Sequence, residues 1–136
     1  MKNVVRNVIA FIAGLIALMI AKYVVTKIGG ALIPLPAGVD LSTLEGFKAA
    51  MPLFEAKHWV TPFMEHSAGS LAGGLVAALI AGSHKMKLAL GIGALHLVGG
   101  IIAAAMLPVP IWFSALDLIV AYIPMAWIGG KLGDRS

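Results

Sequence analysis

Five ionisable side chains interrupt otherwise apolar stretches of this 136-residue sequence: Lys22, Glu65, His66, His96 and Asp117. Such groups are costly in a lipid environment and are retained where they face protein or water, so they mark sites of function. Glu65 lies six residues after Trp59 and Asp117 six after Ile111. At the helical rise this puts both about 9 Å inside their spans. His96, eleven residues before Leu107, would sit about 16 Å deep, near the midplane. Two carboxylates on different helices are thus expected at one level, with a histidine below them.

Three readings follow from those residue types. Glu65 and Asp117, with His66, His96 and Lys22, would form a proton- or cation-binding site in a small transporter or channel. Two close carboxylates in a low dielectric cannot both ionise easily, so one would hold a proton, and a histidine can relay it. Alternatively, two histidines and two carboxylates would bind a divalent metal. That reading lacks a ligand spacing such as H-E-x-x-H, and adjacent Glu65 and His66 point about 100° apart on a helix. Neither a metal nor any other cofactor is therefore expected. In the third reading the polar groups pair as glue between helices, and the protein is a non-catalytic scaffold or assembly subunit.

The residues in register with these groups are small. Gly69, Gly73, Ala77 and Ala81 follow Glu65 at four-residue steps, and Ser70, Gly74 and Ala78 follow His66. Gly100 and Ala104 follow His96, while Ser114 and Ala121 flank Asp117. Small residues at this spacing let helices approach closely. Gly69, Gly73, Ala77 and Gly100 are accordingly expected to be packing positions, with the ionisable groups turned inward.

The elements that must carry these side chains are apolar helices. Hydrophobic residues make up 60% of the chain and charged residues only 12%, against roughly half and a quarter in soluble domains. A domain this small cannot hide so much apolar surface from water. Four stretches, at about 4–28, 59–82, 87–107 and 111–130, each approach the 20 or so residues that span a bilayer. Helices are favoured because lipid offers backbone groups no partner. The expected fold is a single all-α domain over residues 1–136, an integral membrane bundle of four helices. The basic residues Lys2 and Arg6 before an apolar run resemble a signal peptide. No small-x-small cleavage site follows, so an uncleaved first helix is expected.

Between the first two spans, Ser42-Thr43-Leu44-Glu45 has the spacing of a capping box. Leu41, Leu44, Phe47 and Met51 then recur at helical spacing, which predicts a short interfacial helix at about 41–51. Gly82 to Lys85 reads as a tight turn, and Pro108 and Pro110 separate the last two spans. Pro124 is expected to kink the fourth span near Tyr122. A shift of 74 residues lays Ile33-Pro34-Leu35-Pro36 on Leu107-Pro108-Val109-Pro110 and Lys22 on His96, the pattern of a two-hairpin repeat.

Basic residues near Lys2, Arg6, Lys85, Lys87, Lys131 and Arg135 outweigh those on the other side. The positive-inside rule then places both termini in the cytoplasm of a cell membrane, read as a bacterial inner membrane. Trp59, Trp112 and Phe113 would mark the outer interface and Trp127 the inner one, with Lys22 able to snorkel outward. The expected partners are the lipid bilayer and further copies of the chain or other membrane subunits. Scattered lysines without interleaved aromatics give no nucleic-acid surface. The absence of cysteine removes thiol catalysis and disulfides. In size and span number the layout is similar to small multidrug transporters and fluoride channels. It departs from the former in having no carboxylate in its first helix.

Overall fold

The computed structural model describes residues 2–38 and 40–135. Every regular element among them is helical: α1 (Lys2–Leu32), α2 (Leu44–Ala50), α3 (Val60–Ile80), α4 (Lys85–Met106), α5 (Ile111–Val120) and α6 (Ile123–Asp134). Two 3-10 turns, Met51–Leu53 and Ala56–Trp59, lead from α2 into α3. Four helical segments are long and apolar enough to cross a membrane: α1, Ala56–Ile80, α4, and α5 with α6 taken together. Their outward surfaces are studded with exposed Val, Ile, Leu and Met. That distribution suits a chain whose solvent on those faces is lipid.

α3 is the central helix, packed against α1, α4 and α6. It can be central because its sequence leaves its surface smooth. A Cβ added at Gly14 of α1 would stand 2.8 Å from the Gly73 carbonyl oxygen, and one at Gly74 would stand 2.6 Å from that of Ala126. Backbones that close leave room only for glycine on the facing side. Leu18, Ala77 and Ile92 fill the small core where α1, α3 and α4 meet.

At the end of the bundle that holds the N-terminus, side chains of α1 tie down the α3–α4 turn. The Asn7 carbonyl accepts from the Gly82 and Ser83 amides at 3.0 and 3.2 Å, and its amide donates to Ser83 Oγ at 3.0 Å. Arg6 Nε donates to the Ile80 carbonyl at 2.5 Å. A positive group on a helix's last carbonyls satisfies orphan acceptors and opposes the helix dipole. The turn itself needs one residue in the left-handed region, which His84 supplies (φ 49°).

The opposite end is closed by α2. Its N-cap is Thr43, whose hydroxyl accepts from the Gly46 amide at 3.0 Å. The cap thus falls one residue later than the sequence pattern predicts. Asp40 explains the shift, because it accepts from both the amide and the hydroxyl of Ser42 at 3.0 and 2.5 Å. Those two bonds hold the Asp40 carboxyl below its ordinary range. The stripe of α2 does not stay on the surface throughout. Met51 is buried with Trp59 and Phe113, and Phe47 and Phe54 pack onto them, while Leu41 and Leu44 remain exposed. Trp59 is therefore a core residue at 4% exposure rather than an interface marker, covered by the folded-back connection.

Two further differences from the sequence reading concern helix ends. α1 runs through Gly29 and Gly30 to Leu32, so it begins earlier and ends later than residues 4–28. The fourth span is broken, not merely kinked. Proline cannot donate to the carbonyl four residues back and its ring crowds that turn. The helix accordingly ends at Val120, and Tyr122, at φ −106° and ψ −80°, starts a new one with Pro124 in its first turn.

Candidate functional site

The break at Tyr122 gives the site its shape. In a regular helix, residues five apart do not meet. With the helix interrupted, the Tyr122 hydroxyl turns back and donates to Asp117 Oδ2 at 3.0 Å. Both residues are buried. The Tyr122 ring occupies the space left by Gly100 on α4, where a Cβ would collide with it.

His66 on α3 completes this group. Its Nδ1 lies 2.9 Å from each carboxylate oxygen of Asp117 and 3.0 Å from the Tyr122 hydroxyl. A carboxylate only accepts, so against an ionised Asp117 the Nδ1 atom carries hydrogen. The His66 ring stacks on Tyr122, with centroids 5.3 Å apart and planes at 28°. His96 stands edge-on to both, 5.8 Å from His66 and 4.7 Å from Tyr122. Its Nδ1 meets Ser70 Oγ at 2.8 Å, while its Nε2 is buried without a hydrogen-bond partner among the described residues.

Glu65 faces the other way round α3. It pairs with Lys22 of α1 at 3.7 Å and accepts from the Thr26 hydroxyl at 2.8 Å. Lys22 thus turns towards α3 instead of snorkelling out, with its stem against Gly69. No hydrogen bond joins the two carboxylates among the described residues. Each has its own basic partner, Lys22 for Glu65 and His66 for Asp117.

Glu65 from the one pair and both members of the other nevertheless border one space. A cavity of about 180 Å³ is lined by Glu65, His66, Asp117 and Tyr122 together with Phe47, Phe54, Trp59 and Phe113. A second cavity, of about 170 Å³, adjoins Glu65 from the α1 side, bounded by Thr26, His58 and Thr61. Phe47, Phe54, Pro62 and Glu65 border both. The edge-to-face pair of Phe47 and Phe54, 6.3 Å apart at 89°, stands between them.

All five ionisable candidates therefore gather around the upper half of α3, and Gly69, Gly73, Ala77 and Gly100 lie at contacts between helices. No group of three or more His, Asp or Glu with metal-site geometry occurs among the described residues. Sequence reasoning missed Tyr122, Thr26 and Ser70 as polar partners. A tyrosine within an apolar span was the available signal, since its hydroxyl needs a partner when buried. No family model, curated protein or solved structure matches this chain.

Proposed function

We propose that this protein passes protons or cations across a membrane through the Asp117–His66 site. The observation that supports the reading is the shared cavity: a carboxyl–imidazole–phenol group, with Asp117 and Tyr122 buried, and a second carboxylate border one space partly covered by Phe47 of α2. An imidazole hydrogen-bonded to a carboxylate can take up a proton and hand it on. Low dielectric strengthens that coupling and makes each change of charge matter. Loss of the proton leaves a carboxylate to be neutralised by an incoming cation. A proton entering from the other side drives that cation out.

The reading includes both termini in the cytoplasm of a cell membrane, with the α2 end facing outwards, as the distribution of Lys and Arg predicts. A thin bundle encloses little volume, and assembly as a homo-oligomer fits its extended apolar surface.

A second reading has its own support. Lys22–Glu65, Thr26–Glu65, His66–Asp117 and Ser70–His96 are all bonds between helices, as expected of polar glue in a scaffold. Reconstituted liposomes separate the two. Under transport, a pH-sensitive dye inside the vesicles reports wild-type flux that Asp117→Asn abolishes. A wild type with no proton or cation flux, and variants altered only in stability or assembly, would leave the scaffold reading in place.

A further inference from the structure

We infer that the end of the bundle holding the N-terminus binds an anionic phospholipid, with its phosphate among the basic side chains there and an acyl chain in the cleft between α1 and α4. The inference is independent of the transport reading and concerns another part of the molecule. Three observations converge on that ligand.

The first is where the charge lies. Lys2, Arg6, Lys85, Lys87, Lys131 and Arg135 belong to this end, against one acid among the described residues, Asp134. At the other end Lys27, Lys48 and Lys57 are matched by Asp40, Glu45 and Glu55. The net charge of +4 therefore has its source at one end. Such an excess orients a chain in the membrane. A cluster of about four to eight Lys and Arg beside a span also attracts anionic head groups.

The second is a common level. Asn7 bonds the Gly82 and Ser83 amides, and Arg6 beside it donates to the Ile80 carbonyl. These bonds hold the start of α1 next to the start of α4. From α6, a Cβ at Gly130 would stand 2.8 Å from Ala89 Cβ and 2.9 Å from Met86 Sδ, so Lys131 lies at the depth of Lys87. Lys2, Arg6, Lys87 and Lys131 are all exposed. Lys131 Nζ lies over the Trp127 ring, 5.4 Å from its centroid. Tryptophan concentrates where head groups meet hydrocarbon, which puts the basic groups at the depth of lipid phosphates.

The third is a cleft just inside that level, lined by Val4, Asn7, Val8, Phe11, Ile12 and Leu88. Asn7 is its one polar side chain and is already bonded to the α3–α4 turn. Across it, a Cβ at Gly91 would stand 3.4 Å from the Phe11 ring. Gly91 lies one turn beyond Lys87 on α4, so cations stand at the mouth and an apolar channel follows. A phosphate followed by an acyl chain has that same order. A soluble polyanion would meet the charge but leave the cleft unfilled.

The test strips the full chain of lipid in detergent and titrates it with dioleoyl phosphatidylglycerol or dioleoyl phosphatidylcholine, counting bound lipids by native mass spectrometry. Phosphatidylglycerol should bind at least fivefold more tightly, and the preference should shrink as ionic strength rises. A basic side chain near the head group contributes roughly fivefold, so Lys2→Gln/Lys87→Gln should weaken phosphatidylglycerol about tenfold or more. Both side chains are exposed and outside the bonds described above, so circular dichroism should stay that of the wild type. Lys48→Gln/Lys57→Gln, at the other end, should leave binding unchanged. Val8→Trp, which fills the cleft without altering charge, should weaken phosphatidylglycerol at least threefold. Equal binding of the two lipids, an undiminished preference in Lys2→Gln/Lys87→Gln, or no effect of Val8→Trp each overturns the inference. Glycerol 3-phosphate and a polyglutamate peptide should fail to displace the lipid. Displacement by either would mark a site for soluble anions and overturn the assignment to lipid.

Discussion

His66 Nδ1 lies 2.9 Å from both carboxylate oxygens of Asp117, on two helices whose sequence positions are 51 apart. One atom facing two acceptors makes the pair insensitive to small rotations of the carboxylate. It also makes the pair sensitive to loss of its charge. Asp117→Asn keeps the shape but offers one donor and one acceptor in place of two acceptors. Proton-linked flux in liposomes should fall to background, while circular dichroism remains that of the wild type. Asp117→Ala should in addition destabilise by about 3–5 kcal/mol, the usual cost of breaking a buried pair by removing one member.

Tyr122→Phe removes one hydroxyl that touches both members of this pair. The stability cost should be about 1 kcal/mol, that of a single hydrogen bond. The rate of flux should fall, because the hydroxyl touches both His66 and Asp117 and its loss loosens their geometry. A flux rate identical to the wild type would show that the phenol only fills space.

Gly100→Ala should reach the same site from α4. The added methyl collides with the Tyr122 ring, and the core cannot absorb it without moving that ring. A destabilisation of about 1–3 kcal/mol is expected, together with the reduced flux of Tyr122→Phe. In the double variant Gly100→Ala/Tyr122→Phe the two effects should be less than additive, as contacting positions are.

Lys22→Met strands Glu65 beside α1 with only the Thr26 hydroxyl. The single variant should be less stable than the double variant Lys22→Met/Glu65→Gln. A double-mutant cycle on denaturation in mixed micelles should return a coupling of about 1 kcal/mol, typical of polar pairs between membrane helices.

Asn7→Ala tests a part of the molecule away from the site. It releases the Gly82 and Ser83 amides, at a cost of about 1–2 kcal/mol. Hydrogen exchange at those amides should accelerate, and flux should be unchanged once the protein is reconstituted.

The four spans were legible because apolar runs of bilayer length need no tertiary information. Glu65, His66, His96 and Asp117 stood out for the same reason, as costly residues in such runs, and helical periodicity turned all four inward to one cluster, whereas Glu65 meets α1 and His66 meets α5 on different sides of α3. Their partners were not legible. Lys22 has two choices from sequence, water or Glu65, and only the closeness of α1 and α3 decides between them. Asp117 and Tyr122 meet because a helix breaks, and the proline that breaks it gives no hint of which bond results. Trp59 reads as an interface residue until α2 folds over it, since aromatic residues suit both a boundary and a core. The capping box was misplaced by one residue because Asp40 competes for the backbone of Ser42, and a pattern of four letters does not include a fifth.

The interruption after Val120 divides the fourth span into unequal partners. α6 is wedged against α3, where a side chain at Gly74 would strike the Ala126 carbonyl, whereas α5 leans on its neighbours through fewer residues. A swing of α5 by about 15° about the break would carry Asp117, some 7 Å along the axis, through about 2 Å. That distance ends a hydrogen bond. The posture of one short helix and the integrity of one hydrogen bond are thereby tied together. A spin label on α5 should report a wider range of positions in Asp117→Ala than in the wild type.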